Sequence, residues 1–399
     1  MAHTVPAPPI SLLRPSLTGA EHPLHTVCGR AARRTNVEPT TLPVGRSSEQ
    51  ALRIDSLGLD LLTVQDHPYQ AAFDDTWTLL TFLAARTRHV LLFDLTPGDP
   101  MSDEVPLPEG FESITVPANG TRLHAVVGGA GEPVLLLHGW PQTWRAWRHL
   151  MPALAAHGYR VVAPDLRGTG ASDRPTSGYD KDTQAEDMRE LLAQLGIHGG
   201  VRIVGHDIGG MVAFAYARRH PEEVEHLVLA ELALPGFGLE QAMDVASGGL
   251  FHFGLFMTEE LPELLLEGRE SDFLTWWFDR LSAVPGTFPP EEVATVASSY
   301  SGYEALRAGF GHYRTLLEDG RVNRAWHETG GTLPMPVLAV GGEYSTGARL
   351  TDSLATVAPR LTGAVIPGSG HFVPEEHPDA FARELLPFLS VPPHPARRT

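Results

Sequence analysis

The chain contains the stretch Val201-Arg202-Ile203-Val204-Gly205-His206-Asp207-Ile208-Gly209-Gly210, followed at once by Met211-Val212-Ala213-Phe214-Ala215-Tyr216-Ala217. A run of β-branched residues that leads through glycines into a longer apolar run predicts a strand, a sharp turn and a helix. Gly205 and Gly209 frame Asp207, and glycines at these places let a strand and a helix come very close together. The stretch therefore predicts that Asp207 occupies the tip of a tight turn after a buried strand.

Asp207 stands where many turns of this kind carry a nucleophilic serine. A carboxylic acid with an ordinary pKa of about 3.9 is ionised at neutral pH, so it can attack without a base. Attack on an acyl carbon would give an unproductive anhydride, whereas attack on a strained or activated sp³ carbon gives an ester that water can cleave. Epoxides and alkyl halides are the substrate classes that fit. The alternative is an ordinary polar turn at a strand end.

The composition is typical of a globular protein with a sizeable core, with 42% hydrophobic residues in a chain of 399. The 48 acidic residues outnumber the 30 basic ones, and the formal net charge of −18 argues against nucleic acid or an anionic membrane as a partner. Cys28 is the single cysteine, so no intrachain disulfide can form. The start lacks a signal-peptide pattern, and no run of about 20 apolar residues occurs. We expect a cytoplasmic protein.

The first hundred residues fall into two parts that differ in composition and pattern. Residues 1–48 are rich in Pro, Thr, Arg and Gly without periodicity, so we expect them to be disordered. Residues 49–95 alternate between helix and strand patterns, with a strand at 61–64, and between residues 57 and 80 they resemble the early part of a luciferase-like, flavin-dependent monooxygenase barrel. A complete barrel takes about 250 residues. We therefore expect a barrel remnant without a flavin, joined to the rest by a linker at 96–110.

From residue 111 onward, strand and helix patterns alternate, which predicts an α/β fold with a mainly parallel sheet and helices on both faces. Asn119-Gly120 predicts a hairpin between two antiparallel strands, and the apolar run at 134–137 is typical of a strand buried on both faces. Further strands are predicted at 160–163, 225–230, 336–340 and 364–367, and helices at 143–156 and 183–195. We expect residues 111–233 and 335–390 to form this core, with a tail at 391–399.

Residues 234–334 show helical patterns without strand alternation. We expect a helical cap that folds over the carboxyl edge of the sheet, excludes water and lines an apolar pocket. Most of its aromatic residues are expected to form the core of the cap; they are Trp276, Trp277, Phe278, Tyr300, Tyr303, Phe310, Tyr313 and Trp326.

Four motifs follow one another in the chain: His138-Gly139-Trp140-Pro141, Asp165-Leu166-Arg167-Gly168 with Ser172-Asp173-Arg174-Pro175, His206-Asp207-Ile208-Gly209-Gly210, and Gly368-Ser369-Gly370-His371-Phe372. In this order they make residues 111–390 resemble the epoxide hydrolase family of α/β-hydrolases. The resemblance implies an α/β-hydrolase fold with a cap, and hydrolysis of an epoxide to a vicinal diol through an ester on Asp207. It implies a small, neutral, apolar epoxide and water as partners, with no cofactor and no metal, and leaves a homo-oligomer open.

Two of these motifs suggest groups that handle the ester. The backbone N–H groups of Trp140 and Ile208 are expected to form an oxyanion hole for its tetrahedral intermediate, with Pro141 fixing the turn. The alternative for Trp140 is a plain core aromatic. His371 follows a predicted strand and can take a proton from the water that attacks the ester.

The acid that orients His371 requires a choice. Many relatives carry it in a Gly-x-x-Asp pattern, but Gly342-Glu343-Tyr344-Ser345 places Ser345 there. One branch of the family carries its acid at the end of the preceding strand, so the resemblance implies Glu231. Glu343 is the competitor.

Two cap residues complete the expected site. His252 and Tyr313 match positions from which one branch of the family donates hydrogen bonds to the epoxide oxygen, because an alkoxide is too basic to leave unaided. His312 is the nearest decoy, and ordinary packing in the cap is the other interpretation of both residues.

A haloalkane or haloacetate dehalogenase is the main rival function, since it shares the nucleophile, the base and the acid. Haloacetate enzymes place arginines just after the nucleophile, whereas this chain has Ile208 and Met211, and Phe253 stands where an indole donor would be expected. These residues favour a neutral epoxide. A catalytically silent fold that only binds a ligand is the third hypothesis.

Overall fold

The computed structural model describes residues 34–37, 61–64 and 107–391. Strand β1, Arg34–Val37, pairs in parallel with strand β2, Leu61–Val64. The strand predicted at 61–64 is confirmed. β1 lies within residues 1–48, where no strand was expected, because the local pattern gives no sign of a partner so distant in sequence. The rest of the predicted barrel remnant at 49–95, the linker up to residue 106 and the tail from 392 lie outside the described residues.

Residues 107–391 are built on an eight-stranded sheet with the order β10-β9-β8-β7-β5-β6-β4-β3. Its strands are β3 Phe111–Ala118, β4 Thr121–Gly129, β5 Glu132–Leu137, β6 Tyr159–Pro164, β7 Val201–His206, β8 Val224–Ala230, β9 Val337–Gly342 and β10 Leu361–Ile366. β3 and β4 form the predicted hairpin, and β4 runs antiparallel to β6. The other neighbours pair in parallel, which confirms the predicted α/β fold.

The helices are, in chain order, α1 Met151–Ala156, α2 Lys181–Gln194, α3 Ile208–Arg219, α4 Leu239–Ala242, α5 Phe251–Met257, α6 Leu261–Leu266, α7 Glu270–Leu281, α8 Pro290–Ser298, α9 Tyr303–Arg314, α10 Leu316–Glu328, α11 Arg349–Leu354, α12 Val373–Glu376 and α13 Pro378–Leu389. The helix predicted at 143–156 is instead a 3₁₀ turn, Trp144–Trp147, followed by α1. Pro152 in the first turn of α1 explains the break, because proline lacks the N–H that a continuous helix needs.

The sheet is buried on both faces, as the apolar run in β5 predicted. Leu135 and Leu137 belong to one core with residues of α2 and α3, whereas Val134 and Leu136 belong to a second core with residues of α1 and α13. All four side chains have no exposed area. Side chains alternate along a strand, so helices on the two faces cover them in turn.

The cap lies between β8 and β9, a stretch that the structure describes throughout, and it consists of α4 to α10. It lies over the carboxyl ends of the strands. The ring of Trp140, just after β5, packs 4.9 Å from that of Phe256 in α5 and 5.3 Å from that of Trp277 in α7, measured between centroids. Within the described ranges, each helix is too short or too polar to cross a membrane.

Candidate active site

Asp207 connects β7 to α3 with φ 48° and ψ −122°, a conformation that residues other than glycine rarely adopt. A Cβ atom on Gly205 would lie 2.5 Å from the Gly209 carbonyl oxygen, and one on Gly209 would lie 2.3 Å from the Leu137 carbonyl oxygen. Larger residues would collide with the backbone, so the two glycines permit the tight turn that the sequence predicted. Asp207 is thereby held at the carboxyl edge of the sheet.

The Asp207 carboxylate is met by backbone N–H groups. Its Oδ2 atom accepts a hydrogen bond of 3.1 Å from the Trp140 N–H, and the Ile208 N–H is a second donor. These are the two groups expected to form the oxyanion hole. Burial raises the pKa of Asp207 above its ordinary value, although the neighbouring His371 and the two N–H donors oppose the rise. Both N–H groups therefore already point at the atoms on which charge would develop.

His371 lies after β10 and just before α12, beside the turn that carries Asp207. Its Nδ1 atom is 3.2 Å from Oε2 of Glu231, and its ring centroid is 4.8 Å from that of His206. Burial by itself lowers the pKa of His371, but the hydrogen bond with Glu231 and the charges of Asp207 and Glu231 outweigh it, so the pKa is raised. The pair stabilises an imidazolium.

Glu231 follows β8 with φ 51°, and its side chain is completely buried. Besides His371, its carboxylate accepts hydrogen bonds from the Gly342 N–H at 2.5 Å, the Ser345 hydroxyl at 2.6 Å, and the N–H and hydroxyl of Thr346 at 3.1 and 2.6 Å. A buried charge is tolerated when donors satisfy it in this way. Ser345, at the place where many relatives carry the acid, donates to the acid instead.

Glu343, the competing acid, is exposed, and its Oε2 atom accepts a hydrogen bond of 2.8 Å from the Gly368 N–H. The carboxylate that reaches the imidazole of His371 is that of Glu231. The two candidates could not be told apart from their spacing alone.

The cap brings Tyr313 and His252 to the same space, with their ring centroids 6.2 Å apart. Burial, and then the charge of Asp207, raise the pKa of Tyr313 well above 10. Burial and the neighbouring His371 lower the pKa of His252 to about 3. At neutral pH both side chains are therefore uncharged hydrogen-bond donors.

His312 is turned away from this space. Its ring packs edge-on against Tyr179 with centroids 5.2 Å apart. Successive residues on a helix point in different directions, so α9 cannot aim His312 and Tyr313 at one site. The preference for Tyr313 over its neighbour agrees with this geometry.

Glu376 is a residue near the site for which no role was predicted. Its carboxylate accepts hydrogen bonds from the N–H groups of Gly370, Phe372 and Ala283, on both sides of His371 and in the cap. An acidic residue in the first turn of a helix is ordinarily explained by the helix dipole, so no local pattern marked it.

One group of side chains among the described residues could hold a metal ion: His220, Glu222 and Glu223, at the far end of α3 from Asp207. Two of its members have other partners, since His220 hydrogen-bonds to Glu186 at 2.8 Å and Glu223 pairs with Arg189 at 2.9 Å. It does not include the residues around Asp207.

The sequence matches the family described as alpha/beta hydrolase fold over residues 132–378. It is 33% identical over 286 residues to the soluble epoxide hydrolase of Corynebacterium sp. (strain C12), covering 68% of this chain and 95% of that protein. It is 30% identical over 299 residues to a fluoroacetate dehalogenase of a Burkholderia species, covering 71% and 95%. The crystal structure of Cfl2 from Burkholderia cenocepacia is similar with a TM-score of 0.65 and 37% identity, covering 70% of this chain and 96% of that one.

The matched range of 132–378 includes β5, the turn at Asp207, the whole cap and His371. The sheet order, the cap insertion and the sequence similarity agree with one another. The chain therefore belongs to the epoxide hydrolase-like family of the α/β-hydrolases, and the protein is an enzyme of that class.

Proposed function

We propose that the protein hydrolyses epoxides to vicinal diols through a covalent ester on Asp207. The observation that carries the proposal is that the site has two sides with different chemistry, one on the sheet and one on the cap. The carboxyl group of Asp207 and the hydrogen-bonded His371–Glu231 pair lie at the carboxyl edge of the sheet, and two neutral donors, Tyr313 and His252, face them from the cap. The similarity to a soluble epoxide hydrolase supports the same chemistry.

In the first step, a carboxylate oxygen of Asp207 attacks one epoxide carbon, and the bond between that carbon and the ring oxygen breaks. The oxygen becomes an alkoxide and takes a proton from the Tyr313 hydroxyl, while the His252 N–H donates a hydrogen bond. A phenol is ordinarily a stronger acid than an alcohol, so the Tyr313 hydroxyl is suited to supply this proton. The product is a hydroxyalkyl ester of Asp207.

In the second step, His371 takes a proton from water as the water oxygen attacks the ester carbonyl carbon. The N–H groups of Trp140 and Ile208 stabilise the oxyanion. The bond between the carbonyl carbon and the alkoxy oxygen then breaks, and the imidazolium of His371 gives its proton to that oxygen, which releases the diol. The acid left on Asp207 loses its proton and the Tyr313 phenolate is protonated again, which restores the starting site. Glu231 stabilises the imidazolium that exists in between, in agreement with the raised pKa of His371.

The residues after the nucleophile favour an uncharged substrate. Ile208 and Met211 are 1% and 2% exposed, and neither carries a charge that could bind a substrate carboxylate. The rings of Trp140, Phe256 and Trp277 pack against one another above the turn. We therefore propose a small, neutral, apolar epoxide as the substrate.

Dehalogenation by the same nucleophile is the second candidate. The indole N–H of Trp277 is buried without a hydrogen-bond partner among the described residues, and its ring lies 4.9 Å from that of His252. A buried, unpaired N–H can stabilise a departing halide, and one relative is named as a fluoroacetate dehalogenase. The uncharged residues after Asp207 argue against a haloacid and leave neutral alkyl halides.

The net charge of −18 disfavours binding to nucleic acid and anionic membranes and supports a small-molecule substrate. We propose that the enzyme acts in the cytoplasm. The proposed chemistry needs only protein side chains and water, so we propose that it uses no cofactor.

The test is intact mass spectrometry of His371→Gln mixed with a panel of epoxides and neutral alkyl halides. We expect a mass gain equal to the whole epoxide, because the ester forms and is not hydrolysed. The gain should disappear in Asp207→Ala/His371→Gln, and wild-type enzyme should release the diol.

A gain of the alkyl group with release of halide, and none with any epoxide, would favour the dehalogenase. No adduct with either class would contradict both candidates. The matched control is Glu343→Gln, which removes the exposed competitor of Glu231 and should turn over the same substrates as the wild type.

A further inference from the structure

The side chain of Glu376, in α12, joins three pieces of backbone. Its Oε2 atom accepts hydrogen bonds from the Gly370 N–H at 3.0 Å and the Ala283 N–H at 2.8 Å, and its Oε1 atom accepts one from the Phe372 N–H at 2.8 Å. Gly370 and Phe372 are the two neighbours of His371, whereas Ala283 belongs to the cap. One carboxylate therefore fixes both sides of His371 and ties them to the cap.

A second contact connects the same two pieces of chain. The His371 N–H donates a hydrogen bond of 2.9 Å to the carbonyl oxygen of Leu281, the last residue of α7. A Cβ atom on Gly370 would lie 2.4 Å from that oxygen and 2.5 Å from the Ala283 nitrogen. The cap segment 281–283 thus lies directly on the loop of His371, at a distance that only glycine at 370 allows.

We propose that Glu376 is a positioning residue that makes the orientation of His371 depend on the seating of cap segment 281–283. This inference rests on the proposed function, in which His371 acts in ester hydrolysis. Movement of the segment away from the sheet would break the hydrogen bonds at Ala283 and Leu281. His371 is therefore held in place while the cap segment lies over the ester, and it is released when the segment moves away.

The charge of Glu376 suits this position. Hydrogen bonds from N–H groups to a carboxylate are stronger than those to a neutral oxygen, so one acid can hold three donors. Its negative charge also raises the pKa of His371, after the larger effects of Glu231 and Asp207. The titratable groups that face His371 are Asp207, Glu231, Glu376, His206 and His252.

The first variant is Glu376→Gln, which keeps the size of the side chain but removes its charge and one acceptor. Ester hydrolysis should slow about tenfold, a part of the 10²–10⁴ that a positioned base supplies, whereas ester formation should change little. The Asp207 ester should therefore accumulate in rapidly quenched samples of this variant, although His371 itself is unchanged. Glu384→Gln, an exposed acid on α13, is the matched control and should show no accumulation.

The second variant, Gly370→Ala, pushes the cap segment away without changing any charge. It should reproduce the accumulation of ester, and thermal melting of both variants should show that they are folded. Normal ester hydrolysis in a folded Glu376→Gln would overturn the inference.

Two measurements need no substrate. In Glu376→Gln, hydrogen exchange should become faster in the peptides that contain Ala283 and residues 370–372, and NMR titration should give a lower pKa for the His371 imidazole. Unchanged exchange and an unchanged titration would overturn the inference. Failure of the wild type with every epoxide and halide contradicts the proposed function alone, and exchange and titration then decide whether Glu376 positions His371.

Discussion

The two sides of the active site handle polar groups in opposite ways. On the sheet side, the charged groups are surrounded by donors: Glu231 accepts hydrogen bonds from Gly342, Ser345, Thr346 and His371. On the cap side, Tyr313 lies among aromatic rings, with those of Phe256 and Trp140 at 5.0 and 5.8 Å. Charge is placed where the protein supplies hydrogen bonds, and neutral donors are placed where it supplies only apolar contacts.

The two sides differ because the sheet and the cap leave different numbers of backbone N–H groups free to bind side chains. The carboxyl ends of parallel strands lead into loops and helix N-termini whose N–H groups are not used within the sheet, so they are free to bind carboxylates. The cap consists of helices that use their own N–H groups internally, and burial there shifts the pKa of His252 to about 3 and that of Tyr313 upward. The two proposed leaving-group donors are thereby kept in the protonation states that the proposed reaction needs.

The substitution Asp207→Asn gives the largest expected effect. Turnover should fall by at least about 10⁴-fold, because the proposed nucleophile is lost. The pKa of Asp207 is raised in the folded protein. The carboxyl group therefore stabilises the fold at low pH, where it is protonated, and this stabilisation is lost as the pH rises through that pKa. The Asp207→Asn protein should therefore be more stable than the wild type at pH 7, by about 1 kcal/mol, and should lose this advantage near pH 3. Denaturant titrations at the two pH values measure it, and a less stable variant at pH 7 would contradict it.

The second prediction concerns Glu231. Glu231→Gln removes the charge that raises the pKa of His371, and ester hydrolysis should slow about 10²–10³-fold. Ser345→Asp, added to this variant, returns a carboxylate at the residue whose hydroxyl lies 2.6 Å from Oε2 of Glu231, and it should restore part of the rate. Single-turnover kinetics of the single and double variants provide the test. A larger loss from Glu343→Gln than from Glu231→Gln would assign the acid to the competitor.

Tyr313→Phe tests the cap side. Ester formation should slow about 10²-fold, because the alkoxide loses its proton donor, while hydrolysis of an ester already formed should not change. The control is Tyr300→Phe, which removes another buried hydroxyl beside Trp140 that has no hydrogen-bond partner among the described residues. Burst kinetics separate the two steps. Equal losses in both variants would show a packing effect and not a catalytic one.

The smallest predicted effect is the pH dependence. His371 must be neutral to act as a base, and its pKa is raised, so kcat should fall about tenfold per pH unit below a value that lies above 6.5. No loss is expected on the alkaline side up to pH 10, because the pKa of Tyr313 is well above 10. Rates measured from pH 5 to 10 test both limbs. An acid limb centred below pH 6.5 would contradict the raised pKa of His371.

The parts of the site that follow a strand directly could be predicted from the sequence. Gly205 and Gly209 predict the turn at Asp207, and Asn119-Gly120 predicts the hairpin. Both predictions were possible because each signal comes from residues that are close together in the chain. The split of the helix predicted at 143–156 was missed although Pro152 is a local signal. The pairing of β1 with β2 was missed because it joins segments that are far apart in sequence.

The sequence by itself determined the sheet, the cap insertion and the tight turn that carries Asp207, since short-range steric rules and hydrophobic periodicity specify them. Only the tertiary structure decided that Glu231 and not Glu343 reaches His371, that His252 is neutral, and that Glu376 joins the loop of His371 to the cap. These properties depend on burial and on contacts between residues far apart in the chain. Neither is encoded in the spacing of a motif.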